Sequence, residues 1–101
     1  MLRQETVSSR EVILIVGGAL SGSFVEDFHE KMGELCAGRF QKVSLDLSGA
    51  PSINSAALGK LLYFRKKLGE QGGTLQIAGC SEGIYRILKA IKFDQLLPIR
   101  K

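Results

Sequence analysis

Between Val43 and Gly59 the chain changes its hydrophobic period across a short polar break, and that switch limits the folds open to it. Val43-Ser44-Leu45-Asp46-Leu47 places an apolar side chain at every second residue, as a strand with one buried face does. Ser48-Gly49-Ala50-Pro51-Ser52 interrupts the alternation, and from Ala57 onward the apolar residues recur at helical spacing. Asn54-Ser55-Ala56-Ala57-Leu58-Gly59 therefore opens a helix directly behind a strand. At such a junction several unpaired amides point outward and the helix dipole favours negative charge. The hydroxyl of Ser55 is suited to carry a phosphate there.

The same alternation of periods runs through the rest of the chain. Gln4 to Ser8 is weakly strand-like, and Glu11 to Val16 is a β-branched run of interior-strand length, with Ser8-Ser9-Arg10 as a hairpin break. Gly17-Gly18 ends that strand. Ser21 is the expected N-cap of a first helix carrying Phe24, Val25, Phe28, Met32, Leu35 and Cys36 inward, with Gly38 as its stop. The second helix is expected over Ser55 to Glu70, with Ala57, Leu58, Leu61, Leu62, Phe64 and Leu68 inward and Gln71-Gly72-Gly73 after it. Thr74 to Ala78 reads as another strand. Ser81 caps a third helix with Ile84, Ile87, Leu88 and Ile91 inward, and Phe93, then Leu96-Leu97-Pro98-Ile99, read as a last short strand, which Pro98 places at an edge. The order β-β-α-β-α-β-α-β predicts an α/β fold, an open mixed sheet of about five strands with helices mainly on one face.

Composition excludes several classes of function. At 101 residues the chain holds one core, and its 45% apolar and 24% charged residues are those of a globular protein. No apolar run approaches the roughly 20 residues that span a bilayer, and the first residues lack a signal core, so a cytoplasmic location is expected. The net charge of +4 comes from scattered bases without interleaved aromatics, which reads as a solvated surface rather than a nucleic-acid groove. Cys36 and Cys80 form no CxxC pair and read as buried thiols, while a single histidine, His29, excludes a multi-histidine metal site within one chain. Ser55 lies outside any Gly-x-Ser-x-Gly elbow, and Gly17 to Gly22 lacks the Lys-Ser/Thr pair of a phosphate-binding loop. Neither catalysis nor a cofactor is expected.

Residues 45–59 resemble the signature of the STAS domain (sulfate transporter and anti-sigma factor antagonist). There a strand ending in Asp-Leu is followed, after a short connection, by Asp-Ser-Ser-Gly-Leu-Gly at a helix start. Here Leu45-Asp46-Leu47 leads to Asn54-Ser55-Ala56-Ala57-Leu58-Gly59. Gly72-Gly73-Thr74-Leu75 is similar to the family's approach to its fourth strand, Gly18 to the glycine ending its second, and Ser81 to Ile99 to its closing helix and strand. The resemblance covers nearly the whole chain. It departs at Asn54, which stands for aspartate, at Ala56 for a second serine, at Ala57 for glycine, and at Gly18-Ala19-Leu20-Ser21, which lacks the family's acidic residues.

In stand-alone bacterial members the serine after the motif's aspartate is phosphorylated by a partner that is both a serine kinase and an anti-sigma factor. The resemblance therefore implies a phosphorylation site at Ser55 and a non-catalytic binding module of sigma-factor regulation. Ser52, Asn54, Ser55, Ala56, Lys60 and Tyr63 are the expected contact residues, Tyr63 as an exposed aromatic beside Lys60, Lys66 and Lys67. The alternative it implies is an accessory subunit of a membrane lipid-transport ABC complex, docked on the transporter ATPase without phosphorylation.

Overall fold

The computed structural model describes residues 1–101. It contains β1 (Leu2–Thr6), β2 (Glu11–Val16), α1 (Phe24–Ala37), β3 (Lys42–Leu47), α2 (Ser55–Glu70), β4 (Thr74–Cys80), α3 (Glu82–Ala90) and a short 3-10 turn, Phe93–Gln95. The strands lie in the order β1-β2-β3-β4, with β1 antiparallel to β2 and the other pairs parallel. The mixed α/β sheet is as expected; the strand count is not. Four strands form, because the closing segment pairs with β4 only through a single bridge between Ile77 and Ile99. Ile77 donates its amide to the Pro98 carbonyl and Arg100 donates to Ile77, and no further ladder bond develops. Before it, Phe93 to Gln95 is helical rather than extended, and Lys92 turns left-handed at φ 64° to allow this.

The register explains why one face of the sheet forms the core. Val12, Val43 and Leu75 are aligned across three strands, as are Leu14, Leu45 and Ile77, and all are buried. They belong to one cluster of 25 buried apolar residues that also holds Phe28 and Met32 of α1, Leu61 and Phe64 of α2, and Ile84 and Leu88 of α3. On the opposite face Ile13, Ile15, Asp46 and Gln76 are only half-buried, so no helix covers it. The buried Ser44 there accepts a hydrogen bond from Gln76 Nε2 at 2.9 Å.

Several boundaries differ from expectation for local reasons. β1 begins and ends two residues earlier, because Val7 and Ser8 already donate to the Glu11 carbonyl and Ser8 Oγ accepts the amides of Arg10 and Glu11. The N-cap of α1 is Ser23 rather than Ser21, since Leu20 is held in a bridge to Ile53 and the chain needs a turn before the helix. Gly38 stays right-handed, and Arg39 takes the positive φ of 61° that ends α1. Leu62, Ile87 and Ile91 are exposed at 40%, 41% and 44%: Leu62 is on the solvent side of α2, away from the Ala57-Leu61-Phe64-Leu68 stripe, Ile87 lies at the flank of the α3 stripe, and Ile91 is the C-cap beyond the last residue of α3.

Two glycines make the packing testable. A Cβ on Gly73 would lie 2.9 Å from the Gln41 carbonyl oxygen and 3.3 Å from that of Leu68, both backbone atoms that hold the turn into β4. Gly59, in the second turn of α2, has open space around it. Urea unfolding should show Gly73→Ala losing about 1–3 kcal/mol. Gly59→Ala should instead gain about 0.5–1 kcal/mol from helix propensity.

Candidate functional site

The start of α2 is fixed by two loops that pair with each other. Gly18 donates to the Gly49 carbonyl at 3.1 Å, Leu20 to Ser52 at 3.0 Å, and Asn54 back to Leu20 at 3.0 Å. Leu20 and Ile53 form a parallel bridge and bury their side chains beneath it. Gly49 permits the approach, since a Cβ there would meet the Val16 carbonyl oxygen at 3.1 Å. On the β3 side the Asp46 carboxylate accepts the Ser48 amide at 2.9 Å, closing a turn immediately after the strand. Ser48 and Asp46 also crowd against Gly79, where a Cβ would stand 2.8 Å from Ser48 Oγ.

With the loop held, Asn54 adopts extended backbone (φ −98°, ψ 174°) and its Oδ1 accepts the Ala57 amide at 2.8 Å. Asparagine thus performs the N-cap function that an aspartate would. Ser55 is the first helical residue and is exposed, as are Ser52 and Ala56, while Asn54 is half-buried. The amides of Ser55 and Ala56 make no hydrogen bond within the protein. No acidic residue lies in the first turn of α2, so the helix itself supplies no charge to offset the positive end of its dipole.

The other expected residues follow on the same helix. Ala56, Lys60, Tyr63 and Lys67 recur at the i, i+4, i+7, i+11 spacing of a single ridge. Tyr63 is 50% exposed and stands edge-on to Phe64, with ring centroids 4.9 Å apart. Lys67 Nζ is 6.0 Å from the tyrosine ring centroid. Two features escaped the sequence. His29 of α1 packs its ring 5.9 Å from Tyr63 and 5.2 Å from Phe64, with a buried Nδ1 that has no partner. Leu62 joins Tyr63 on the surface instead of entering the core. The helix period places Leu62 outside the Ala57-Leu61-Phe64-Leu68 stripe, which could have signalled this.

Other chemistry is sparse. No three His, Cys, Asp or Glu side chains gather to hold a metal ion. Cys36 and Cys80 are free and buried, and burial pushes both thiols up from their ordinary value, away from nucleophilic reactivity. A cleft of about 570 Å³ lined by Cys36, Ala37, Arg39, Phe40, Gln41 and Gln71 lies where α1 and α2 end, away from Ser55. No helix is long and apolar enough to cross a membrane.

A four-stranded mixed sheet with helices on one face and an exposed, loop-clamped helix start defines an α/β module that offers a surface. The STAS domain sequence model matches residues 3–101, and the chain belongs to the STAS domain family. It is 28% identical over 94 residues to a STAS-domain containing protein of Pseudomonas aeruginosa, covering 93% of this chain and 92% of that one. Among solved structures it resembles an anti-sigma factor antagonist from Mycobacterium paratuberculosis (18% identity, TM-score 0.87, 98% of this chain and 83% of that one). It also resembles SpoIIAA, an anti-sigma factor antagonist, in its unphosphorylated form (15% identity, TM-score 0.85, 100% and 89%). For the phosphorylated form of the Bacillus SpoIIAA the TM-score is 0.78 at 15% identity, over 100% and 92% of the chains. At these identities the likeness to solved structures concerns the fold.

Replacing the cap separates its two contributions. Asn54→Ala should cost about 0.5–2 kcal/mol in urea unfolding, through loss of the bond to the Ala57 amide. Asn54→Asp should keep that bond and gain about 0.3–1 kcal/mol from the helix dipole.

Proposed function

We propose that this chain, as a single STAS module over residues 1–101, is a non-catalytic binding protein of the anti-sigma factor antagonist type. It works in the cytoplasm, and phosphorylation of Ser55 breaks its complex with an anti-sigma factor that is also a serine kinase. The observation that carries this reading is the exposed Ser55 at a helix start whose first two amides are unbonded. A phosphate adds about −1.5 to −2 charge, which those amides and the dipole can hold without disturbing the fold. In a protein contact the same phosphate adds bulk and charge to a desolvated surface. That SpoIIAA, similar in fold, has been solved in phosphorylated and unphosphorylated forms supports the reading.

The docking surface would combine Ser52, Asn54, Ser55 and Ala56 at the tip with Lys60 and Tyr63 along the ridge. Gly59 lies one turn beyond Ser55 with no atom in the space its side chain would occupy, so a partner backbone can approach closely. A second reading has the same surface dock on an ABC transporter ATPase without phosphorylation. It is favoured by Asn54, which caps the helix without the negative charge a kinase would meet in aspartate.

Incubation with the cognate kinase and ATP should place one phosphate on Ser55, seen by mass spectrometry of the peptide containing it. By titration calorimetry Ser55→Ala should bind that partner as the unmodified protein does, and Ser55→Asp about tenfold or more weakly. An unmodified Ser55, or equal binding by Ser55→Asp, would sink the switch and leave the ATPase reading.

A further inference from the structure

We propose that the outward faces of α1 and α2 together form a self-complementary interface for a second copy of this chain. The basis is a segregation of charge. The α1 segment carries Glu26, Asp27, Glu30 and Glu34 against one base, Lys31. The α2 segment carries Lys60, Arg65, Lys66 and Lys67 against one acid, Glu70. The helices pack side by side, yet none of the five ion pairs in the protein uses a residue of either. They join Arg3 to Glu5, Lys42 to Glu11, Arg86 and Lys101 to Glu82, and Lys89 to Asp94. Arg65 alone among these bases has a hydrogen-bond partner, donating Nε to the Leu96 carbonyl. The four carboxylates are exposed, and so are Leu62 and Tyr63 between the basic groups of α2.

The register of the two helices makes the patch fit itself. Each returns across the same sheet face from a parallel strand, so α1 and α2 run in the same direction. The contacts of His29 with Tyr63 and Phe64 set each α1 residue level with the α2 residue 34 or 35 positions later. Glu26 is then level with Lys60, and Lys66 and Lys67 fall between the levels of Glu30 and Glu34. A two-fold axis parallel to the helices lays α1 of one copy over α2 of the other, twice. An axis across the helices would lay acid on acid, so the charges select one arrangement.

Size sets its strength. Sixteen residues of α2 span about 24 Å, and two adjacent helices cover roughly 500 Å² per copy. This is below the roughly 800 Å² per partner of a standard stable interface, so the dimer is transient, charge-driven and salt-sensitive. It covers Lys60 and Tyr63, and so competes with docking along that ridge. The proposal does not depend on phosphorylation of Ser55.

Sedimentation velocity of the full chain at about 0.5 mM should show reversible self-association at 50 mM salt that weakens about tenfold or more at 500 mM. Glu30→Lys/Glu34→Lys and Lys66→Glu/Lys67→Glu should each remain folded by circular dichroism and be monomeric alone. Mixed together they should associate, because each interface then pairs acid with base again. A wild-type protein that is monomeric at both salts, association that survives either double reversal, or a mixture that stays monomeric would overturn the proposal.

Discussion

Three backbone hydrogen bonds between two loops, Gly18 to Gly49, Leu20 to Ser52 and Asn54 to Leu20, decide where the second helix begins. Each contributes about 0.5–1.5 kcal/mol net, a modest amount. Their effect is geometric, because they join the segments following two neighbouring parallel strands into one rigid platform. Leu20 and Ile53 anchor the platform in the core, and Gly49 lets it lie against the end of β2. Without it, Asn54 would have no fixed extended conformation from which to cap the helix, and Ser55 no defined position.

The platform presents an electrostatic feature as well as a shape. Free amides and the dipole make the start of α2 positive and Lys60, Arg65, Lys66 and Lys67 carry positive charge along the rest of it, whereas α1 beside it is acidic on its outer face. Phosphorylation at Ser55 would reverse the charge at one end of this positive helix. One covalent change there would alter this surface with little demand on the core. The sheet and its 25-residue apolar cluster form the packed base beneath this surface.

Much of this was legible in the sequence, for identifiable reasons. The bounds of α2, Ser55 to Glu70, follow from the change of period at one end and Gln71-Gly72 at the other. Ser81 caps α3 through the Ile84 amide as its position suggests. The loop pairing was not legible, because Leu20 and Ile53 are single apolar residues in polar stretches and find each other only through the parallel strands below. The closing segment has strand-like residues, yet one bridge is all it forms, since Pro98 lacks an amide and the left-handed Lys92 directs the chain into a helical turn. The apolar spacing of α3 predicts a stripe but not its covered width. In nine residues the helix buries only Ile84 and Leu88 and leaves Ile87 at its flank, with Ile91 exposed at the C-cap.

The most direct measurement is amide NMR and hydrogen exchange on the chain carrying phosphoserine at position 55. If the phosphate rests on the open helix start of an intact platform, the Ser55 and Ala56 amide resonances move downfield. The Leu20 and Asn54 amides then keep the protection they have in the unmodified protein. Unmoved Ser55 and Ala56 resonances, or loss of protection at Leu20 and Asn54, would show that the phosphate is not held there or that it breaks the platform, and would contradict the account.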